Sequence, residues 1–106
     1  MKYEKDVNLM DFTGFLCTTP HHRTTPLGRD ICDMIVAVKN SQGKSDYIPC
    51  IVWDKKSKYA ASLKVGTKLK LTGRLQSRSY TKTFSDGTSE ERTAYELSVG
   101  NISEEK

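Results

Sequence analysis

Residues 66–80, GTKLKLTGRLQSRSY, alternate: Leu69, Leu71, Gly73 and Leu75 fall on one side, Lys68, Lys70, Thr72, Arg74 and Gln76 on the other. A strict alternation of this kind predicts a strand with one buried and one wet face. Residues 30–39 alternate too, with Cys32, Met34, Val36 and Val38 on one face. Ile31, Asp33, Ile35 and Ala37 make the opposite face a mixed one, which predicts partial cover on both sides. Residues 47–53, YIPCIVW, predict a third strand in which Pro49, lacking an amide donor, calls for an edge position or a bulge. Residues 93–102 place Tyr95, Leu97 and Val99 on one face of a closing strand. Residues 8–18 carry Leu9, Phe12, Phe15, Leu16 and Cys17, interrupted by Gly14, and predict a strand bent at that glycine. Within 55–63, Tyr59, Ala60 and Leu63 recur at helical spacing, with Asp54 as the expected N-cap and Gly66 beyond the end. The segments 19–28, 40–46 and 85–91 are rich in Pro, Gly, Asn, Asp and Ser and predict turns.

The predicted order is three strands, a helix and two strands. That order predicts an all-β, five-stranded OB-fold Greek-key barrel with one short helix between strands three and four, an architecture that takes oligonucleotides across strands two and three. With 106 residues a single domain is expected, spanning 8–102, after a flexible arm over 1–7 and before a short polar end over 103–106.

Charge sharpens the picture through its distribution. The net charge is only +4, but residues 39–82 hold eleven Lys and Arg against two acids, Asp46 and Asp54. Glu4, Asp6, Glu90, Glu91, Glu104 and Glu105 lie at the ends and in the last loop. A basic centre with acidic margins favours a polyanionic partner. The opening MKYEKDVNLM has no apolar run, so neither a signal peptide nor a membrane anchor is expected, and the location is expected to be cytoplasmic. Cys17, Cys32 and Cys50, odd in number and widely spaced, predict buried or half-buried thiols rather than disulfides.

Cations beside aromatics on a sheet surface suit a single nucleic-acid strand, because cations track phosphates and rings stack on bases. Tyr47 and Trp53 stand on the same face of one strand, and Tyr80 shares a face with Arg78. Phe84 lies in a polar loop, and Arg23 and Arg29 flank the first turn as candidate phosphate contacts. Tyr59 and Tyr95 are expected to pack. His21 and His22 adjoin each other without a zinc-type spacing, so no metal or cofactor is expected. No nucleophile–base set is present to suggest an enzyme or a small-molecule substrate.

Three segments together resemble the bacterial single-stranded DNA-binding protein family. TGFLCTTPHHRTTPLG places Gly14, Leu16, Pro20, Arg23, Thr25, Pro26 and Gly28 on that family's first strand and turn. DYIPCIVWDKKSKYAASLKVG is similar to its third strand and helix, and GRLQSRSY to its fourth strand, before a closing strand with Tyr95, Glu96 and Leu97. The resemblance implies binding of single-stranded DNA without base specificity, no chemistry, and assembly into homodimers or homotetramers through the first strand. It implies roles in replication, recombination or repair. Tyr47, Trp53 and Tyr80 match the family's stacking aromatics. Lys55 and Lys56 fall at the start of the helix segment, and Arg74 and Arg78 in the matched fourth strand. The chain departs from the family in its close, Ser103-Glu104-Glu105-Lys106, which lacks the acidic tip that recruits other proteins, and in a first strand of weaker alternation. Such a short form suits a phage or mobile-element version. The alternative is an assembly module of the primosomal replication protein N type, with weak nucleic-acid binding.

Overall fold

The computed structural model describes residues 7–105. Its elements follow in the order β1 (Met10–Leu16), β2 (His21–Thr24), β3 (Asp30–Lys39), β4 (Ser45–Trp53), α1 (Lys55–Ala61), β5 (Lys68–Thr83) and β6 (Ser89–Glu104). The strands run β1-β5-β6-β4-β3, and β1 then pairs back onto β3 through Phe15–Ala37 and Leu16–Val36, closing a five-stranded barrel. Within it β4 and β6 alone are parallel, and the helix lies between β4 and β5. This is the all-β, OB-like barrel the sequence predicts. The short β2, on the free edge of β3, is additional: its residues are all exposed, so no buried face announces it.

The alternating residues meet inside. Leu16, Cys32, Met34, Val36, Cys50, Val52, Leu69, Leu71, Leu97 and Val99 form one buried cluster, plugged at one end by Ala60 of α1 and by Leu63. Leu16, Leu69 and Leu71 are essentially inaccessible, each adding about 1.5–3 kcal/mol of burial. Gly14 precedes the point where β1, still paired with β5, begins to pair with β3 at Phe15, and a Cβ there would lie 2.5 Å from the Ala37 carbonyl oxygen, so this close approach requires glycine.

Four expectations fail, each for a physical reason. Asp54 does not cap α1; its carboxylate turns to Arg29, and the helix is shorter than predicted. Leu75 is exposed although its alternation partners are buried, because β1 ends opposite Gly73 and β5 then leaves the barrel with β6 as a two-stranded arm. Tyr95 rides the same arm and is exposed for the same reason, and Tyr59 lies on the solvent side of α1. Pro49, by contrast, meets the expected edge position, though only locally: within β4 it pairs with Ile35 of β3, and the β4–β6 ladder starts only at Cys50. Its partner Ile35 sends its N–H to the Thr18 hydroxyl at 3.0 Å and accepts from the Cys17 N–H, so the Ile35–Pro49 pair needs no donor from Pro49.

All three cysteines are free, with Cys17 half-buried and the other two buried. Burial, aided by Glu96, pushes the Cys50 thiol up to about 12, and burial and Asp33 raise Cys32. Since the thiolate is the reactive species, at most one thiol, Cys17, is expected to react quickly with a disulfide reagent at pH 8, and all three after denaturation. Three fast native thiols would contradict this packing.

Candidate nucleic-acid interface

In β4 the core takes Ile48, Cys50 and Val52, so alternation turns Tyr47, Pro49, Ile51 and Trp53 outward. The same parity places Ile31, Asp33 and Ile35 of β3 outward, with His21 and Arg23 of β2 beside them in register. From the other hairpin, Gln76 pairs with Glu96 and Arg74 with Ser98 across β5 and β6. Ile31 and Ile51 share this outward parity yet are nearly fully buried.

Two adjoining hollows result. One, of about 450 Å³, is lined by Arg29, Trp53, Arg74, Gln76, Ser77 and Ser98. The Trp53 indole N–H donates to the Ser98 hydroxyl at 3.0 Å, and the Arg29 guanidinium lies 4.4 Å from the ring centroid. The other, of about 360 Å³, is bounded by Thr19, His21, Arg23, Pro49, Arg78 and Glu96 among others. There Arg23 pairs with Asp33 at 2.5 Å, and Arg78 donates to Glu96 at 3.2 Å. Glu96 is buried and also accepts from Gln76 at 3.0 Å, so two donors hold its charge.

The hydrogen bond that Arg23 donates to the Asp33 carboxylate raises its guanidinium above the ordinary value. Arg29 is raised by its hydrogen bond to Asp54, which in turn holds the Asp54 carboxyl below the usual carboxylate range. Three outward arginines thus already have carboxylate partners, whereas Arg74 has none among the described residues. The Arg23–Asp33 pair is exposed on both sides and open to competition from an incoming phosphate, whereas Arg78 is held by a buried carboxylate whose charge it balances.

The arm carries the remaining aromatics. Arg78 lies 5.9 Å from the Tyr80 ring centroid, and Lys82 and Arg92 approach Phe84 at 5.9 and 5.6 Å. Tyr47 and Tyr80 are both exposed. The structure therefore brings Tyr47, Trp53, Arg23, Arg29, Arg74 and Arg78 onto one outward face, with Tyr80 and Phe84 on the arm above it. It sets Lys68 apart, in a hollow with Thr13, Phe15, Ala37 and Lys39, and Lys70 opposite Thr13. Lys56 reaches the Gly100 carbonyl and the Asn101 side chain at the end of the barrel, while Lys55 is exposed on the first turn of α1. Sequence reasoning missed Ser98, Glu96 and Asp33 as parts of this face. The burial of Leu97 and Val99 was the available signal for the first two, since their neighbours must face outward.

The profile of the single-strand binding protein family matches residues 7–104. The chain belongs to that family. No curated protein matches the chain. Among the described residues there is no group of His, Cys, Asp and Glu able to hold a metal ion, and no helix is long and apolar enough to cross a membrane.

Proposed function

We propose that this family member binds single-stranded DNA largely without base specificity, seating it across the outward face of β3, β4 and β6 and under the β5–β6 arm. The observation that carries the proposal is the coincidence, on one face, of outward aromatics with arginines beside them: Trp53 with Arg29, and Tyr80 with Arg78. Rings take bases and cations take phosphates. Coating of exposed strands during replication, recombination or repair follows from such a surface, and three free thiols suit a reducing interior. Self-association through the first strand is part of the proposal. Among the described residues β1 pairs with β3 only at Phe15 and Leu16, and the margin from Met10 to Thr13 is the part proposed to meet a second copy.

The test is a salt series of oligo-dT binding beside a duplex of equal length. With about four ionic contacts, the log–log slope is expected near −2.8, using roughly −0.7 per phosphate on single strands. Salt-insensitive binding would remove the electrostatic part. A second reading, an assembly module with weak nucleic-acid binding, draws on the arginines already neutralised by Asp33, Asp54 and Glu96. Binding of neither strand form at low salt would select it.

A further inference from the structure

Trp53 differs from the other two candidate stacking rings. Tyr47 is wide open, and Tyr80 has a cation only at its margin, 5.9 Å away. Over Trp53 the guanidinium of Arg29 sits at 4.4 Å, the distance of a plane laid on a ring. The indole edge is tied to Ser98, so the ring cannot turn its covered face toward a new partner without losing that bond.

The guanidinium is itself held. The Asp54 carboxylate accepts from Arg29 Nε at 3.3 Å and from Nη2 at 2.7 Å, using two donors of the same plane. Such two-point contact fixes the orientation of the plane and not only its position. Asp54 adopts φ 56 and ψ −130 to do so, in a region of backbone space that only glycine enters freely. Among the described residues it is the only non-glycine residue with positive φ. A carboxylate is therefore kept at a position where the backbone asks for glycine, and its side chain serves Arg29 rather than the helix.

The Arg29 side chain is 52% exposed and borders the hollow that also holds Arg74 and Gln76. Resting on the proposed binding of single-stranded DNA, we propose that the platform for a base at this end of the groove is the guanidinium plane of Arg29, backed by Trp53 and fixed by Asp54. A base entering the hollow stacks on the outer side of that plane and makes a three-layer stack with the indole. Guanidinium planes are weakly hydrated and stack on bases as aromatic rings do. The charge of Arg29 is already matched by Asp54, so its part is stacking, and Arg74 is left to meet the adjoining phosphate.

The test separates plane from charge with labelled oligo-dT. Arg29→Lys keeps the charge and loses the plane, and is expected to weaken binding about tenfold, as much as Arg29→Ala. Asp54→Asn makes the protein more positive yet is expected to weaken binding severalfold, because the plane is released. The salt slope is expected to be the same in all three variants. Quenching of Trp53 fluorescence at saturation is expected to be larger in Arg29→Ala than in the unmodified protein, since the ring is uncovered. Wild-type affinity in Arg29→Lys, tighter binding in Asp54→Asn, or a slope reduced by roughly 0.7 in Arg29→Ala would make Arg29 a phosphate contact and overturn the platform. If the unmodified protein fails to bind oligo-dT, the binding function itself falls and the platform with it. If it binds and Arg29→Lys binds equally, only the platform falls.

Discussion

Replacing Tyr47 and Tyr80 together by alanine is expected to weaken binding of oligo-dT by about 2–6 kcal/mol, since each base–aromatic stack contributes about 1–3 kcal/mol. The corresponding rise in Kd is roughly 30-fold to more than 10⁴-fold. The two rings stand on different hairpins, Tyr47 on β4 and Tyr80 on β5, so their losses should nearly add. Neither belongs to the buried cluster, and Tyr47 is 65% exposed, so folding should be almost untouched. Fluorescence anisotropy against the unmodified protein, with a thermal melt as control, measures both quantities. A change of less than threefold in Kd with an unchanged melt would mean that DNA does not cross this face.

The second large effect concerns stability. Gly73 is where β5 leaves its partner β1 and where its register with β6 shifts. A Cβ on it would fall on the carbonyl group of Ser98, closer than any real contact. Backbone cannot move aside as a flexible side chain does, so Gly73→Ala is expected to cost about 3 kcal/mol or more. In a domain of this size that is a drop in Tm of roughly 12–24 °C. Gly100→Ala is the matched control on the facing strand. Its Cβ would meet only the Thr72 carbonyl oxygen, at 3.5 Å, an ordinary contact. Similar melts for the two variants would show that the close approach at Gly73 is not a constraint.

What could be read from the chain alone follows from where alternation has a cause. Residues 30–39 alternate because one side lines the core, and the strand has the bounds the pattern predicts. The proline in β4 correctly marked an edge, although the edge is only local. Alternation misled at Leu75 and Tyr95, because it continues past the point where β5 loses its β1 partner: Leu75 lies just beyond that point, and Tyr95 faces the start of the arm. The arm itself, from Ser77 to Thr83 and back through Ser89, is paired throughout but has no buried face to impose a pattern. Asp54 looked like a cap because it precedes a helix. Its true partner is Arg29, 25 residues away in sequence, which no local pattern encodes. The same holds for Arg23 with Asp33 and Arg78 with Glu96, and so the near-neutrality of much of the face was invisible in a tally of basic residues.

The missing amide of Pro49 has a mechanical side. The ladder joining β4 to β6 begins at Cys50 and Leu97, and the next rung toward the hairpin tips would need a donor that proline does not possess. Beyond that rung the two hairpins are denied the zipper that would draw them shut, and nothing in the β4–β6 ladder ties one to the other on the way to their tips.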